Sequence, residues 1–167
     1  MADKKLIIAV IAIAVIAVAA IGIYLIVTAE EKNQYAEYTV SGSAPGMTFD
    51  GTMRMTVIGE TTDQYHVKYD FKVYATAGGV RTALINESQT EWVDKDDSSG
   101  WDMGTKVRTE TITTAKWGDK AVDVYELIES GDKTTSYVGV ADGVPYKMVM
   151  ETGGFKIIFD LTKTNMF

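Results

Sequence analysis

The 167-residue chain contains no cysteine and a single histidine. Without cysteine it has no disulfide staples, thiolate metal sites, cysteine nucleophile or lipoprotein anchor, so its stability must come from a packed core. Basic charge is also scarce. From Glu30 onward there are 22 acidic and 14 basic side chains, a formal net charge of −8. A nucleic-acid binder needs a basic face, and so does a protein held electrostatically to anionic lipid. Neither is present, and the acidic surplus reads as a solubility feature. No G-x-S-x-G elbow, H-E-x-x-H pair, G-x-G-x-x-G turn or Walker loop occurs, so no catalytic frame can be quoted. The expectation is a protein that is not an enzyme and carries no cofactor.

What the chain does have is a long uncharged run, Leu6 to Val27. Twenty-two residues at about 1.5 Å each give roughly 33 Å of helix, enough to cross a hydrocarbon core of about 30 Å. Lys4 and Lys5 precede it, and Glu30 and Glu31 follow. The positive-inside bias then places residues 1–5 in the cytoplasm, a transmembrane helix at 6–27, a linker at 28–34 and an extracytoplasmic domain at 35–167. An alternative is a cleaved export signal ending at Val27-Thr28-Ala29, although signal cores usually run about 7–15 residues. Both readings deliver the same domain to the outer side of the cytoplasmic membrane.

Beyond the anchor the hydrophobic period changes to two. Tyr65, Val67, Tyr69, Phe71 and Val73 alternate with His66, Lys68, Asp70, Lys72 and Tyr74. Such alternation is the mark of a half-buried antiparallel strand. Phe155, Ile157, Phe159 and Leu161 repeat it, as do Met53, Met55 and Val57, and Tyr146, Met148 and Met150. Turn chemistry separates the runs, at Gly78-Gly79, Gly118-Asp119, Gly131-Asp132, Asp142-Gly143 and Gly153-Gly154 among others. From Gly118 the turns come about a dozen residues apart, which describes hairpins and not βαβ units. The pattern predicts a mainly β domain: a curved antiparallel meander sheet or open barrel of eight to nine strands, with no amphipathic helix after Val27.

Three features invite a functional reading. His66 falls on the solvent side of its strand without partners, an ordinary surface histidine. The loop Asp94 to Asp102 starts with oxygen ligands at alternate positions, as a calcium loop does. Its glycine, Gly100, is misplaced, and Thr105 stands where a bidentate glutamate belongs. A solvated hairpin loop is the simpler reading, and metal ligands are not assigned. The third feature is aromatic. Trp92, Trp101 and Trp117 bracket strand ends, tyrosines recur along the strands, and Met53, Met55, Met148 and Met150 supply adaptable apolar surface. Core packing accounts for most of this. The functional alternative is an apolar groove on the concave side, with Tyr69, Phe71, Met148 and Phe159 as candidate ligand-binding residues.

The segment from about Gly104 to Asn165 resembles the half-barrel carriers of the LolA/LppX type. The resemblance rests on Thr109-Glu110-Thr111-Ile112 leading to Gly118, Val122-x-Val124-Tyr125, Tyr137-Val138, Gly143-Val144-Pro145-Tyr146-Lys147 and Ile157-Ile158-Phe159-Asp160-Leu161. It implies successive strands of a curved sheet whose concave face holds acyl chains. One departure is the missing helix that roofs the cavity in those carriers. The whole chain also resembles archaeal single-pass surface proteins with an uncleaved N-terminal anchor. The reading that follows is a membrane-anchored binding domain for a hydrophobic or peptide-like ligand, lipid or envelope partner. Its rival is a structural surface protein that self-associates through strand edges.

Overall fold

The computed structural model describes residues 33–95 and 103–165. The Leu6–Val27 segment and most of the Asp94–Asp102 loop, Trp101 included, lie outside them. No helix among the described residues is long and apolar enough to cross a membrane. The described residues form nine strands: β1 (Tyr35–Ala44), β2 (Met47–Glu60), β3 (Gln64–Ala77), β4 (Val80–Asp94), β5 (Thr105–Thr114), β6 (Gly118–Glu129), β7 (Asp132–Gly139), β8 (Pro145–Thr152) and β9 (Phe155–Thr164). All are antiparallel and belong to one sheet. The stretch resembling the half-barrel carriers supplies β5 to β9 as successive strands.

The turn signals act as the sequence implies. Ala77 pairs with Val80 across Gly78 (φ 57°) and Gly79 (φ 78°). Two consecutive positive φ angles make the tight hairpin whose twist suits antiparallel strands, and only glycine adopts them without strain.

The strand order is β4-β3-β2-β1-β9-β8-β7-β6-β5. A simple meander would run in sequence order. Here two meanders, β1 to β4 and β5 to β9, are joined because the first strand pairs with the last. Consecutive strands β4 and β5 consequently form opposite edges, and the sheet remains open.

Pairing register assigns the faces. One row runs Phe71–Met53–Tyr38–Leu161 across β3, β2, β1 and β9. Another runs Val40–Phe159–Met148–Ser136–Tyr125 across β1, β9, β8, β7 and β6. This face is the inner one. Gly42 and Gly51 lie on it, and a Cβ at Gly42 would sit 2.5 Å from the Lys156 carbonyl oxygen. At Gly51 a Cβ would collide with the Lys72 carbonyl and lie 2.8 Å from Val73 Cα. Neighbouring strands thus bend inward over these two positions, which makes the face concave. Met53, Met55 and Val67 on it are fully buried. Burying a side chain of this size contributes about 1.5–3 kcal/mol each.

The opposite face is covered only toward the C-terminal half. Its row Thr39–Asp160–Lys147–Tyr137–Val124 places Val124 outward, and Val122 follows two residues away. Both valines are nonetheless fully buried. Thr135 and Val149, paired on that outer face, are buried as well.

Adding one methyl group tests the bend. Gly51→Ala should lower stability by about 1–3 kcal/mol through backbone displacement. Gly59→Ala, whose Cβ meets only the His66 side chain at 3.5 Å, should be close to neutral. Urea melts of the two variants decide the matter; equal midpoints would show that no inward bend exists at Gly51.

Candidate functional site

Alternation along β3, β8 and β9 delivers Tyr69, Phe71, Met148 and Phe159 to the same concave face. They form two pairs. The rings of Tyr69 and Phe71 stack on β3 with centroids 6.2 Å apart and planes 5° off parallel. Met148 and Phe159 are directly opposed across β8 and β9. Strands β2 and β1 lie between the pairs, contributing Met55, Met53, Tyr38 and Val40. All four predicted side chains are 1–2 % exposed and belong to one hydrophobic cluster. They are therefore packed core positions on the inner face, not the walls of an open groove. Met150 is buried with them.

Tyrosine hydroxyls on this face are the polar atoms that need partners. Tyr38 donates to the Pro145 carbonyl oxygen at 3.0 Å, and burial raises its pKa. Tyr146 donates to Asp142 at 2.6 Å, and burial followed by the Asp142 carboxylate raises its pKa too. The Tyr69 hydroxyl differs. It is buried and makes no hydrogen bond. Burial raises its pKa, and the Glu91 carboxylate adds to that effect. Leaving such a donor unpaired costs about 1–3 kcal/mol.

Tyr69 lies next to the open edge. On β4 it faces Gln89, while Phe71 faces Glu87 and Val67 faces Glu91. These three β4 residues share the inner face but are exposed, because no further strand among the described residues pairs beyond β4. The concave face thus grades from apolar floor to acidic lip at this edge.

The remaining candidates are placed otherwise. His66 is half-buried on the outer face, where its ring stacks on Trp92 at 4.5 Å and 11°. Asp94 accepts a hydrogen bond from the Gln64 amide at 2.7 Å. Trp117 packs edgewise on Tyr146, centroids 5.9 Å apart. No cluster of three or more His, Asp or Glu suited to a metal ion occurs among the described residues.

Sequence reasoning missed a second concavity, of ≈ 720 Å³, on the outer face between β5 and strands β1, β9, β8 and β7. Its lining includes Ile112, Tyr137, Lys147, Asp160 and Thr39. Strand alternation had marked Lys147 and Asp160 simply as solvent-facing. Only the curl of β5 back over that face turns them into a wall, and no local signal encodes it. Its polar groups are largely committed: Lys147 pairs with Asp160 at 3.6 Å, Thr114 donates to the Gly118 carbonyl, and Thr162 to that of Glu37.

The unpaired hydroxyl makes a sharp stability prediction. Tyr69→Phe should raise the stability of the ligand-free chain by about 1 kcal/mol, because an unsatisfied donor leaves the core. Tyr38→Phe, which breaks a made bond and orphans the Pro145 carbonyl, should lower it. If both substitutions destabilise equally in thermal melts, Tyr69 has a partner and the site is misassigned.

No family model matches the chain, and no curated protein matches it. Three solved structures are similar to it at low identity and low TM-score. The chain is similar to the hypothetical protein CT021 of Chlamydia trachomatis, at 11 % identity and TM-score 0.39, over 85 % of this chain and 90 % of that one. It is similar to a LolA superfamily protein, NE2245 of Nitrosomonas europaea, at 10 % identity and TM-score 0.34, over 89 % and 93 %. A third likeness is to a β-barrel-like protein of the domain family DUF1849 from Brucella abortus, at 12 % identity and TM-score 0.26, over 84 % and 100 %. One of these three neighbours is a LolA superfamily protein, and none of them is an archaeal surface protein. At such scores the likenesses carry no argument about ligand or activity, which must come from the chain's own residues.

Proposed function

We propose that the domain is a non-enzymatic binding module that takes up a hydrophobic ligand at its concave face, held at the outer side of the cytoplasmic membrane by residues 6–27. One observation carries the reading. A continuous apolar surface of aromatics and methionines lines the inside of a sheet whose two edge strands have no outer partner among the described residues. Methionine repacks at low cost, having three rotatable bonds and no branch. An unclosed sheet can spread at β4 and β5, whereas a closed barrel cannot. Together these let a core that packs on itself when empty admit an acyl chain or an apolar peptide. The outer cleft is a weaker candidate, since its ion pair and most of its hydroxyls are already satisfied.

A second reading is favoured by one feature of β4. This fifteen-residue edge strand buries a single side chain, Val93, and has neither lysine nor proline to guard its edge. Such an edge is a template for another strand, so self-assembly or pairing with an envelope protein competes with ligand uptake.

Native mass spectrometry of the full chain, extracted from its own membrane without added lipid, distinguishes them. Retention of an acyl-bearing mass that leaves on denaturation supports the module. A bare monomer would sink it, and a ladder of oligomers would favour edge pairing. The anchor has its own check. The chain should stay with membranes through alkaline carbonate and lose its domain to protease added to spheroplasts; release into the carbonate wash would refute the tether.

A further inference from the structure

We infer that the ligand of the concave face is an amphiphile with a cationic head, seated with its apolar chain on the inner floor and its head between Tyr69 and the lip residues Glu87 and Glu91. The inference rests on the binding reading above and adds the chemistry of the head group. Four observations carry it. Glu87 and Glu91 are the diagonal neighbours of Tyr69 across the β3–β4 ladder, on either side of Gln89, which faces it directly. Diagonal neighbours in a sheet are about 7–8 Å apart, so a head group beside Tyr69 lies within reach of either glutamate side chain. None of the ion pairs among the described residues involves either glutamate. Finally, the Tyr69 hydroxyl is buried, unpartnered and on this same face, an acceptor and donor with nothing to bond.

The outer face of the same two strands shows the contrast. There Asp70 accepts a hydrogen bond from the Ser88 hydroxyl and pairs with Lys68 at 2.9 Å. Burial pushes its carboxyl up, but those partners, with Arg54 more remotely, outweigh it and hold the group below its usual range. The outer carboxylate is satisfied within the protein, while the two inner ones are solvent-exposed and form no ion pair among the described residues. An ammonium head would donate an N–H to the Tyr69 hydroxyl oxygen while the carboxylates balance its charge. An anionic head would meet two carboxylates and no cation at this lip. Inward-pointing charge on an edge strand is also a device against edge pairing. That role predicts aggregation when the charge is removed but no change in head-group preference.

The test uses the full chain in a neutral maltoside detergent, with its methionine methyl groups labelled with ¹³C. Decylammonium and decyl sulfate are titrated separately, following the signals of Met53, Met55, Met148 and Met150. The expected result is shifts with both probes and an affinity about tenfold higher for the ammonium, the size of one charge-assisted contact. Glu87→Gln with Glu91→Gln should reduce that preference to about twofold or less while leaving the folded spectrum unchanged. Equal affinities in the wild type, or a preference that survives the double substitution, would overturn the cationic assignment alone. Methionine signals that move with neither probe would overturn the concave binding surface itself.

Discussion

Pairing of the first strand with the last is the contact on which the rest of the architecture depends. Strands β1 to β4 and β5 to β9 are each chained by hairpins and need no outside help to find their neighbours. Among the described residues the β1–β9 ladder, from Ala36–Thr164 to Ser43–Lys156, is the one sheet pairing between the two groups. It is reinforced at its lower end. The Thr162 and Thr164 hydroxyls donate to the carbonyls of Glu37 and Tyr35, Asn165 brackets the start of β1 through both its amide atoms, and Lys163 pairs with Glu37 at 2.7 Å. Each surface contact of this kind contributes little alone. Their role is to fix register, and register decides which side chains reach the concave face. A slip of one residue would put Tyr38 and Val40 on the face opposite Phe159 and Leu161 and split the apolar floor between the two meanders.

Much of this was legible residue by residue, and the reason is physical. Tyr65 to Val73 alternate without interruption, and Phe155 to Leu161 do so but for Ile158, so their strand character and buried side follow from the pleat alone. Paired glycines at 78–79 and 153–154 fix hairpins because two successive positive φ angles suit little else. What local pattern does not encode is the partner of β1, since that pairing joins residues more than 110 positions apart. Nor does it encode a change of buried side. Val122 and Val124 alternate as cleanly as any pair in the chain, yet register places them on the face opposite Met148 and Phe159. Alternation says that a strand has two sides; only the fold says which side is covered.

The same boundary runs through the site. Tyr69, Phe71, Met148 and Phe159 were readable as one face because each sits at the buried phase of a strong alternation. Their tight packing was not readable, because it depends on how sharply the sheet bends at Gly42 and Gly51. Strand β4 carried almost no signal. Its sequence, VRTALINESQTEWVD, mixes polar and apolar residues with weak alternation, as suits an edge strand bathed in solvent on both sides. Glu87 and Glu91 therefore looked like ordinary surface acids, and only the β3–β4 register brings them beside Tyr69.

An open sheet resolves two demands that a closed barrel sets against each other. Stability in a chain without disulfides asks for an apolar face packed tightly on itself, while ligand uptake asks for that face to be reachable. Closing β4 onto β5 would satisfy every backbone group and seal the interior. Leaving them apart keeps one flank of the interior at the solvent boundary, and there the side chains change from Val67, Tyr69 and Phe71 to Glu91, Gln89 and Glu87 within a single strand spacing. Charged groups at that boundary keep their hydration and so cost little desolvation. Moved one strand inward, the same carboxylates would have to be paired or protonated. The polar lip can exist only at the edge, and an edge exists only because the sheet does not close.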